Sequence, residues 1–489
     1  MTNDIKKLID FFQSGNEIEA KKEAVNLLKK NKSEEIIYNI YGSIFLKEGN
    51  YNKAITIFKL GLEKNINAVG LLNNLAIAYK NIGKYKKSEK IFVQLLNINS
   101  TDSSILENYG NVLRILHKYQ KAEEILIKAI KINQNNPTIY NNLGLVYSDS
   151  GNHGKAITNF KKSIELNENF FHSYYNIASS YYAIGDYKLS IEFNQKSLDL
   201  NPNFTDANYN LGLTYKKIRN FEAALICFEK VLHEHKNNFI TALILETLYE
   251  IEDKNKFIEL ASRIDKSEVF NFRALSASHF ASYQWDIINP YPFCTDPLKM
   301  IEEKQLITEN KISRHEIDNI NSIISEQSYS ESFEPGHIKN GYKTNLNIFD
   351  INDIYIKKLK KIILNEVDKY FKKYEDLDDK IISKKPDKFD IDGWYVRLKK
   401  EGQVEEHIHQ AWLSGVFYLK TVDNNTDEGS LSFTYRCYDM TESKKKSPVK
   451  NVRTSDGLLV IFPSSLPHKV LSFNSNFDRV CIAFDIIPN

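Results

Sequence analysis

His407 and His409 stand one residue apart near the end of this 489-residue chain, His468 follows about sixty positions later, and Arg479 comes eleven residues after that. Three imidazoles are a donor set for a transition-metal ion. An arginine beside them could grip a carboxylate with its planar fork and keep its charge at every working pH. On a strand, residues i and i+2 share a face, so His407 and His409 can approach one ion while Ile408 turns to the core. His468 follows the turn Asp456-Gly457 and the run Leu458-Leu459-Val460-Ile461-Phe462-Pro463, which places it at a strand end as well.

Such a site needs strands to hold it, and from Trp394 onward the sequence offers them. Trp394–Leu398, Ser414–Leu419, Ser430–Phe433, Leu458–Phe462 and Val480–Phe484 are rich in branched and aromatic residues and are bounded by turn residues such as Asp423-Asn424-Asn425. The pattern predicts an antiparallel all-β unit of the jelly-roll class. Upstream, apolar residues at Ile356, Leu359, Ile363, Val367, Phe371 and Tyr374 predict one helix. Before it, Asn289-Pro290-Tyr291-Pro292-Phe293-Cys294-Thr295-Asp296-Pro297 is too proline-dense to continue a helix and predicts a connector.

The first half repeats itself. A small residue recurs every 34 positions at Gly42, Ala76, Gly110, Gly144, Ala178 and Gly212, and a second recurs in phase at Ala54, Ser88, Ala122, Ala156, Ser190 and Ala224. Between them lies an aromatic at Tyr51, Tyr85, Tyr119, Tyr187 and Phe221, replaced once by His153. One helix pair per unit accounts for all three, with small residues where the helices cross and the aromatic at the joining turn. The period and pattern resemble the tetratricopeptide repeat. Gly15 and Ala20 are in register with Gly49 and Ala54, so a truncated unit opens the array, and 238–262 is expected to close it as a degenerate cap.

Asn74, Asn108, Asn142, Asn176 and Asn210 are also 34 apart. A carboxamide both donates and accepts, so such a ladder can hold the backbone of an extended peptide without reading its side chains. It is similar to the asparagine ladder in the repeat superhelix of O-linked N-acetylglucosamine transferases. The alternative is that these amides bond across adjacent repeats or face water.

In the second half, the paired histidines, the Ser-Gly-Val-Phe-Tyr-Leu strand, the Gly-Leu-Leu-Val-Ile-Phe-Pro strand, the distal His and the later Arg together resemble a family of 2-oxoglutarate and iron(II)-dependent oxygenases. The resemblance covers roughly the last 190 residues, most specifically Trp394 to Phe484. It implies a double-stranded β-helix holding iron(II), with 2-oxoglutarate as cosubstrate and ascorbate as accessory reductant. His407 and His468 would be ligands, Arg479 would pair with the distal carboxylate of the cosubstrate, and Tyr418 would hydrogen-bond it. The common motif is His-x-Asp or His-x-Glu, and here position 409 is histidine. Three assignments stay open: His409 as third ligand, which we prefer because imidazole is an accepted iron ligand; His409 as an outer or substrate-facing group; and Glu405 as the anion. His-x-His, Gly457, Pro463 and His468 also look like the two motifs of cupins, but the glutamate expected after the pair is absent from Gln410-Ala411-Trp412-Leu413-Ser414.

The expected architecture is therefore multidomain α + β: a tetratricopeptide array over 1–262, a proline-rich connector over 263–300, and a jelly-roll oxygenase domain with flanking helices over 301–489. The expected function is hydroxylation of a protein or peptide recruited by the repeats. The alternatives are a non-catalytic scaffold and a cupin-type metalloenzyme that does not use 2-oxoglutarate. With 65 basic against 63 acidic residues, nothing favours nucleic acid or an anionic membrane as partner. No apolar run reaches the roughly 18 residues of a membrane helix, no secretory leader opens the chain, and the four cysteines form no CxxC pair, so a cytoplasmic protein is expected. The other eight histidines, His153, His172 and His337 among them, read as surface or core residues.

Overall fold

The computed structural model describes residues 3–488 apart from 31, 33, 99–100, 235–237, 266–269, 326–337, 345, 423–425 and 439; His337 and the turn at 423–425 thus lie outside the described residues. By packing the chain divides into two compact units, Met1–Arg219 and Asn220–Asn489.

The first unit is built of helix pairs, among them Glu35–Lys47 with Tyr51–Leu62, Ser103–Ile115 with Tyr119–Ile132, and Pro137–Asp149 with His153–Leu166. The repeating small residue is explained by close approach. A Cβ on Gly42 would meet the Phe58 ring at 2.2 Å, one on Gly144 the Phe160 ring at 2.5 Å, and one on Gly110 the Leu126 side chain at 2.6 Å. The in-phase second position is sealed: Ala54, Ser88, Ala122, Ala156 and Ser190 have no exposed surface. Ser88 satisfies its buried hydroxyl on the Ala76 carbonyl at 2.7 Å, within its own helix pair. The aromatic position begins the second helix of each pair, and the turn before it needs a left-handed residue. Gly15, Gly49, Gly83, Gly151 and Gly185 fill it with φ between +73° and +81°, whereas His117 and Arg219 take the same conformation without being glycine.

The second unit opens with helices Phe221–Glu234, Asn238–Glu250, Lys254–Asp265 and Phe272–Trp285. The last of these falls where the connector was expected, and eleven of its residues are buried. The proline-rich stretch after it is irregular. Helix Ile354–Lys373 buries Ile356, Leu359, Ile363, Val367 and Phe371, the apolar stripe visible in the sequence.

Nine strands follow among the described residues: β1 Glu302–Gln305, β2 Ile338–Lys343, β3 Phe389–His407, β4 Leu413–Lys420, β5 Leu431–Thr434, β6 Val449–Val452, β7 Leu458–Pro463, β8 His468–Val470 and β9 Arg479–Pro488. They form one antiparallel sheet in the order β1-β7-β4-β9-β3-β8-β5-β6, with β2 on β3. β7 and β5 lie five places apart along that order, yet Phe462 and Phe433 meet edge to face with ring centroids 4.8 Å apart. The sheet therefore curls over on itself into the jelly roll, and its core includes Leu398, Tyr418, Phe433, Val460 and Phe462. All four cysteines are buried, and no disulfide joins them. Among the described residues no helix is long and apolar enough to cross a membrane.

Candidate metal centre

His407 and His468 are directly opposed in the β3–β8 register, and their ring centroids are 4.4 Å apart. β3 ends at His407, so His409 is not a strand residue as the i, i+2 reading supposed. It lies in the turn beyond, where its backbone N–H donates to the Ser464 carbonyl at 3.1 Å, and its ring stacks on Trp394 at 5.5 Å. The turn nonetheless returns the ring to the cluster: one nitrogen from each of the three histidines lies within 4.8 Å of the other two.

The tautomers follow from what each Nδ1 touches. Nδ1 of His407 is 2.7 Å from the Glu405 carbonyl oxygen, and Nδ1 of His468 is 3.0 Å from that of Leu466. Nδ1 of His409 is 2.8 Å and 2.9 Å from the two carboxylate oxygens of Asp485. Carbonyl and carboxylate oxygens only accept, so each Nδ1 carries the proton and each Nε2 the lone pair a metal needs. Burial, with the neighbouring His407 and His409 rings, holds the His468 imidazole well below the usual histidine range, which keeps it neutral.

Arg479, at the start of β9, is 1 % exposed. Its Nε donates to the Gly429 carbonyl at 3.0 Å and its Nη2 to the Tyr418 hydroxyl at 2.9 Å, and among the described residues no carboxylate pairs with it. A buried guanidinium without an anion is costly, and an entering carboxylate would relieve that. Burial pushes the Tyr418 hydroxyl up to about 12 against the pull of Arg479, so it keeps a proton to donate. The acids near Arg479 in sequence are engaged elsewhere: Asp478 pairs with Arg397, and Asp485 holds His409. Glu405 is paired with Lys339 at 2.5 Å and is outside the histidine cluster. One cavity of about 550 Å³ joins the histidines to Arg479, with Val396, Val416, Leu431 and Val470 on its walls. Three inward imidazoles and an uncompensated cation fit a metal with an anionic co-ligand.

Residues 392–485 match the family model described as "Putative 2OG-Fe(II) oxygenase". Tetratricopeptide repeat models match 36–63, 69–102, 101–169, 136–203 and 205–232. The chain thus carries tetratricopeptide repeats in its N-terminal part and, over 392–485, a domain that matches this family model. No curated protein matches it. Among solved structures it is similar to a tetratricopeptide repeat protein from Parabacteroides merdae ATCC 43184, at 19% identity and a TM-score of 0.44 over 50% of this chain and 97% of that one. It is similar also to MamA, at 26% identity and a TM-score of 0.30 over 34% and 91%, and to YrrB, a "TPR protein with an unusual peptide-binding site", at 21% identity and a TM-score of 0.30 over 37% and 94%.

The cavity of the oxygenase-family domain has a wall that its own strands do not supply. Arg273, from helix Phe272–Trp285, and Phe239, from helix Asn238–Glu250, both line it. Arg273 is held by the buried Glu246 at 2.5 Å and 2.9 Å, and its guanidinium lies 4.1 Å from the ring centre of Tyr438, a residue in the left-handed conformation with φ of 45°. Nothing in the sequence motifs pointed to Arg273, Tyr438 or Asp485, because each reaches the site from a distant segment.

In the repeat array, the asparagine amides reach back to the preceding unit. Asn74 donates to Asn39 at 2.7 Å and to Ser43 at 3.2 Å, Asn142 to Glu107 at 3.2 Å, Asn176 to Asn141 at 2.8 Å and Asn210 to Ser179 at 2.8 Å. Asn108 is half-buried. The amide groups of Asn74, Asn142, Asn176 and Asn210 thus join successive repeats, which leaves their carbonyl oxygens as acceptors for a peptide.

Proposed function

We propose that this protein is an iron(II)- and 2-oxoglutarate-dependent oxygenase that hydroxylates a protein or peptide recruited by its tetratricopeptide array. The observation that carries the reading is that three Nδ1-anchored imidazoles share one cavity with a buried arginine that has no carboxylate partner among the described residues.

His407, His409 and His468 would hold the iron through Nε2. Arg479 would take the distal carboxylate of 2-oxoglutarate on its fork, and the Tyr418 hydroxyl would donate to the same group. Bound metal, cosubstrate and dioxygen supply the oxidation, in which 2-oxoglutarate becomes succinate and carbon dioxide and one oxygen atom enters a substrate C–H bond. The chain's own contribution is to orient and to limit water: Val396, Val416, Leu431 and Val470 give the cavity apolar walls, and the array would raise the local concentration of its peptide. The repeats commonly mediate protein–protein contact, which supports a protein substrate over a small one.

Purified protein with iron(II), ascorbate and 2-oxoglutarate should release succinate slowly without any substrate, and His468→Ala should abolish it. Metal uptake indifferent to 2-oxoglutarate would favour a cupin-type enzyme. Absence of both uptake and turnover would leave a scaffold.

A further inference from the structure

We infer that Asp485 is a positioning residue that supplies, through His409, the negative charge missing from the ligand set; this rests on the metal-binding part of the reading above. The usual facial set has two neutral imidazoles and one carboxylate, so replacing the carboxylate with histidine leaves the metal one unit of negative charge short in a buried cavity. Among the described residues, the Nδ1–H groups of His407 and His468 meet backbone carbonyls, whereas that of His409 meets a carboxylate. A carboxylate on Nδ1–H fixes the tautomer and orients the ring so that Nε2 faces the metal, and this sets His409 apart from the other two. The anion is displaced by the width of one imidazole and is not lost.

Asp485 is itself fixed in place. It is paired with Ser414 in the β4–β9 register, and the Ser414 hydroxyl lies 2.6 Å from Oδ1 and 2.8 Å from the Ser464 hydroxyl. Ser464 also accepts the His409 backbone N–H, so one short network sets both the carboxylate and the ring it holds. Trp394 closes the face of that ring. The arrangement is that of a carboxylate–histidine–metal triad, and a ring so restrained at its edge, face and backbone has one direction left for Nε2.

The test uses the full chain, stripped of metal, with cobalt(II) as probe. Affinity is read by competition with a chelator, and the coordination by visible absorption. Asp485→Asn keeps the shape but removes the charge and offers Nδ1 a donor, which favours the tautomer with Nε2 protonated. It should weaken cobalt(II) binding by about 10- to 100-fold and change the spectrum. In a His409→Ala background the same substitution should cost less than about threefold, since Asp485 acts only through that ring. Ser414→Ala, which removes the other donor to Asp485, should reproduce only a minor part of the loss. Affinity of Asp485→Asn within about threefold of the parent, an equal loss in both backgrounds, or a full loss from Ser414→Ala would each overturn the inference. Should Asp485→Asn fail to melt cooperatively, the side-chain 1H–15N spectrum of the unsubstituted apoprotein decides: the His409 Nδ1–H should resonate downfield of those of His407 and His468, and coincidence of the three overturns the proposal. If the unsubstituted chain takes up no cobalt(II), the metal reading itself fails, a result distinct from all of these.

Discussion

Arg479 donates through Nη2 to the Tyr418 hydroxyl at 2.9 Å, and both side chains are sealed from solvent between β4 and β9. The pair presents a permanent cation and a phenol that keeps its proton, both suited to one carboxylate. In substrate-free turnover, Arg479→Ala should raise the 2-oxoglutarate requirement by on the order of 100-fold, because a buried charge pair costs about 2–5 kcal/mol when one partner is removed. Tyr418→Phe should raise it by less than about tenfold, the worth of one hydrogen bond. Succinate release against 2-oxoglutarate concentration reads both.

Position 409 invites a repair toward the common motif, and the neighbouring carboxylate determines how it should fail. His409→Asp would bring a second carboxylate toward Asp485, and like charges at such a distance suppress one another's ionisation. The single substitution should therefore bind iron(II) more weakly than the parent. His409→Asp combined with Asp485→Asn should bind more tightly than His409→Asp alone, as metal titration would show.

Acid should loosen the second unit through a group outside the metal site. His279 packs edge to face against Tyr435, its Nε2 has no hydrogen-bond partner among the described residues, and desolvation of the ring lowers its pKa to about 4 from the ordinary 6.5. The unfolded chain binds the proton more readily than the folded one, so stability is full above pH 6.5 and declines as pH falls from 6.5 toward 4. From His279 alone the loss over that window is about 3 kcal/mol, and His279→Phe should remove that share of the slope in denaturant unfolding at stepped pH, leaving the share contributed by the buried His468.

Glu246 and Arg273 form a buried pair, with Glu246 having no exposed side-chain surface. Removing one partner strands the other, so Glu246→Gln should cost roughly 3–5 kcal/mol, measured by urea unfolding. Because Arg273 lines the cavity, Arg273→Met should also alter coupling of 2-oxoglutarate turnover to substrate while leaving substrate-free succinate release in place.

Alanine at Asn108, Asn142 and Asn176 together should weaken peptide capture without changing substrate-free turnover. The cross-repeat bonds of Asn142 and Asn176 add a second readout: a lower melting temperature, with each lost hydrogen bond worth about 1 kcal/mol.

The helical half was legible because a 34-residue period repeats one packing solution, and the small residues at Gly42, Gly110 and Gly144 mark helix crossings that admit no Cβ. The apolar strands were legible for a similar reason, since each is buried on both faces or alternates cleanly. β1 (Glu-Glu-Lys-Gln) and β6 (Val-Lys-Asn-Val) were not, because partly exposed polar strands carry a loop-like composition, and β8 is three residues long. Helix Phe272–Trp285 escaped because a helix buried nearly all round has no amphipathic stripe to detect. Spacing brought the three histidines to notice, but Asp485 looked like any strand residue until the β4–β9 register set it beside Ser414 and the turn after β3 brought His409 to it.

That same helix is bound to the far side of the second unit by its Gln284, whose amide donates to the Lys445 carbonyl at 2.5 Å and accepts from the Lys444 and Lys445 backbones. A gene fusion, a protease nick or a recombination breakpoint in the proline run after it would strip a wall from the cavity and leave an aggregation-prone apolar face. A break beside Arg219 would spare both, so the transferable cassette starts well upstream of the prolines that look like its natural edge.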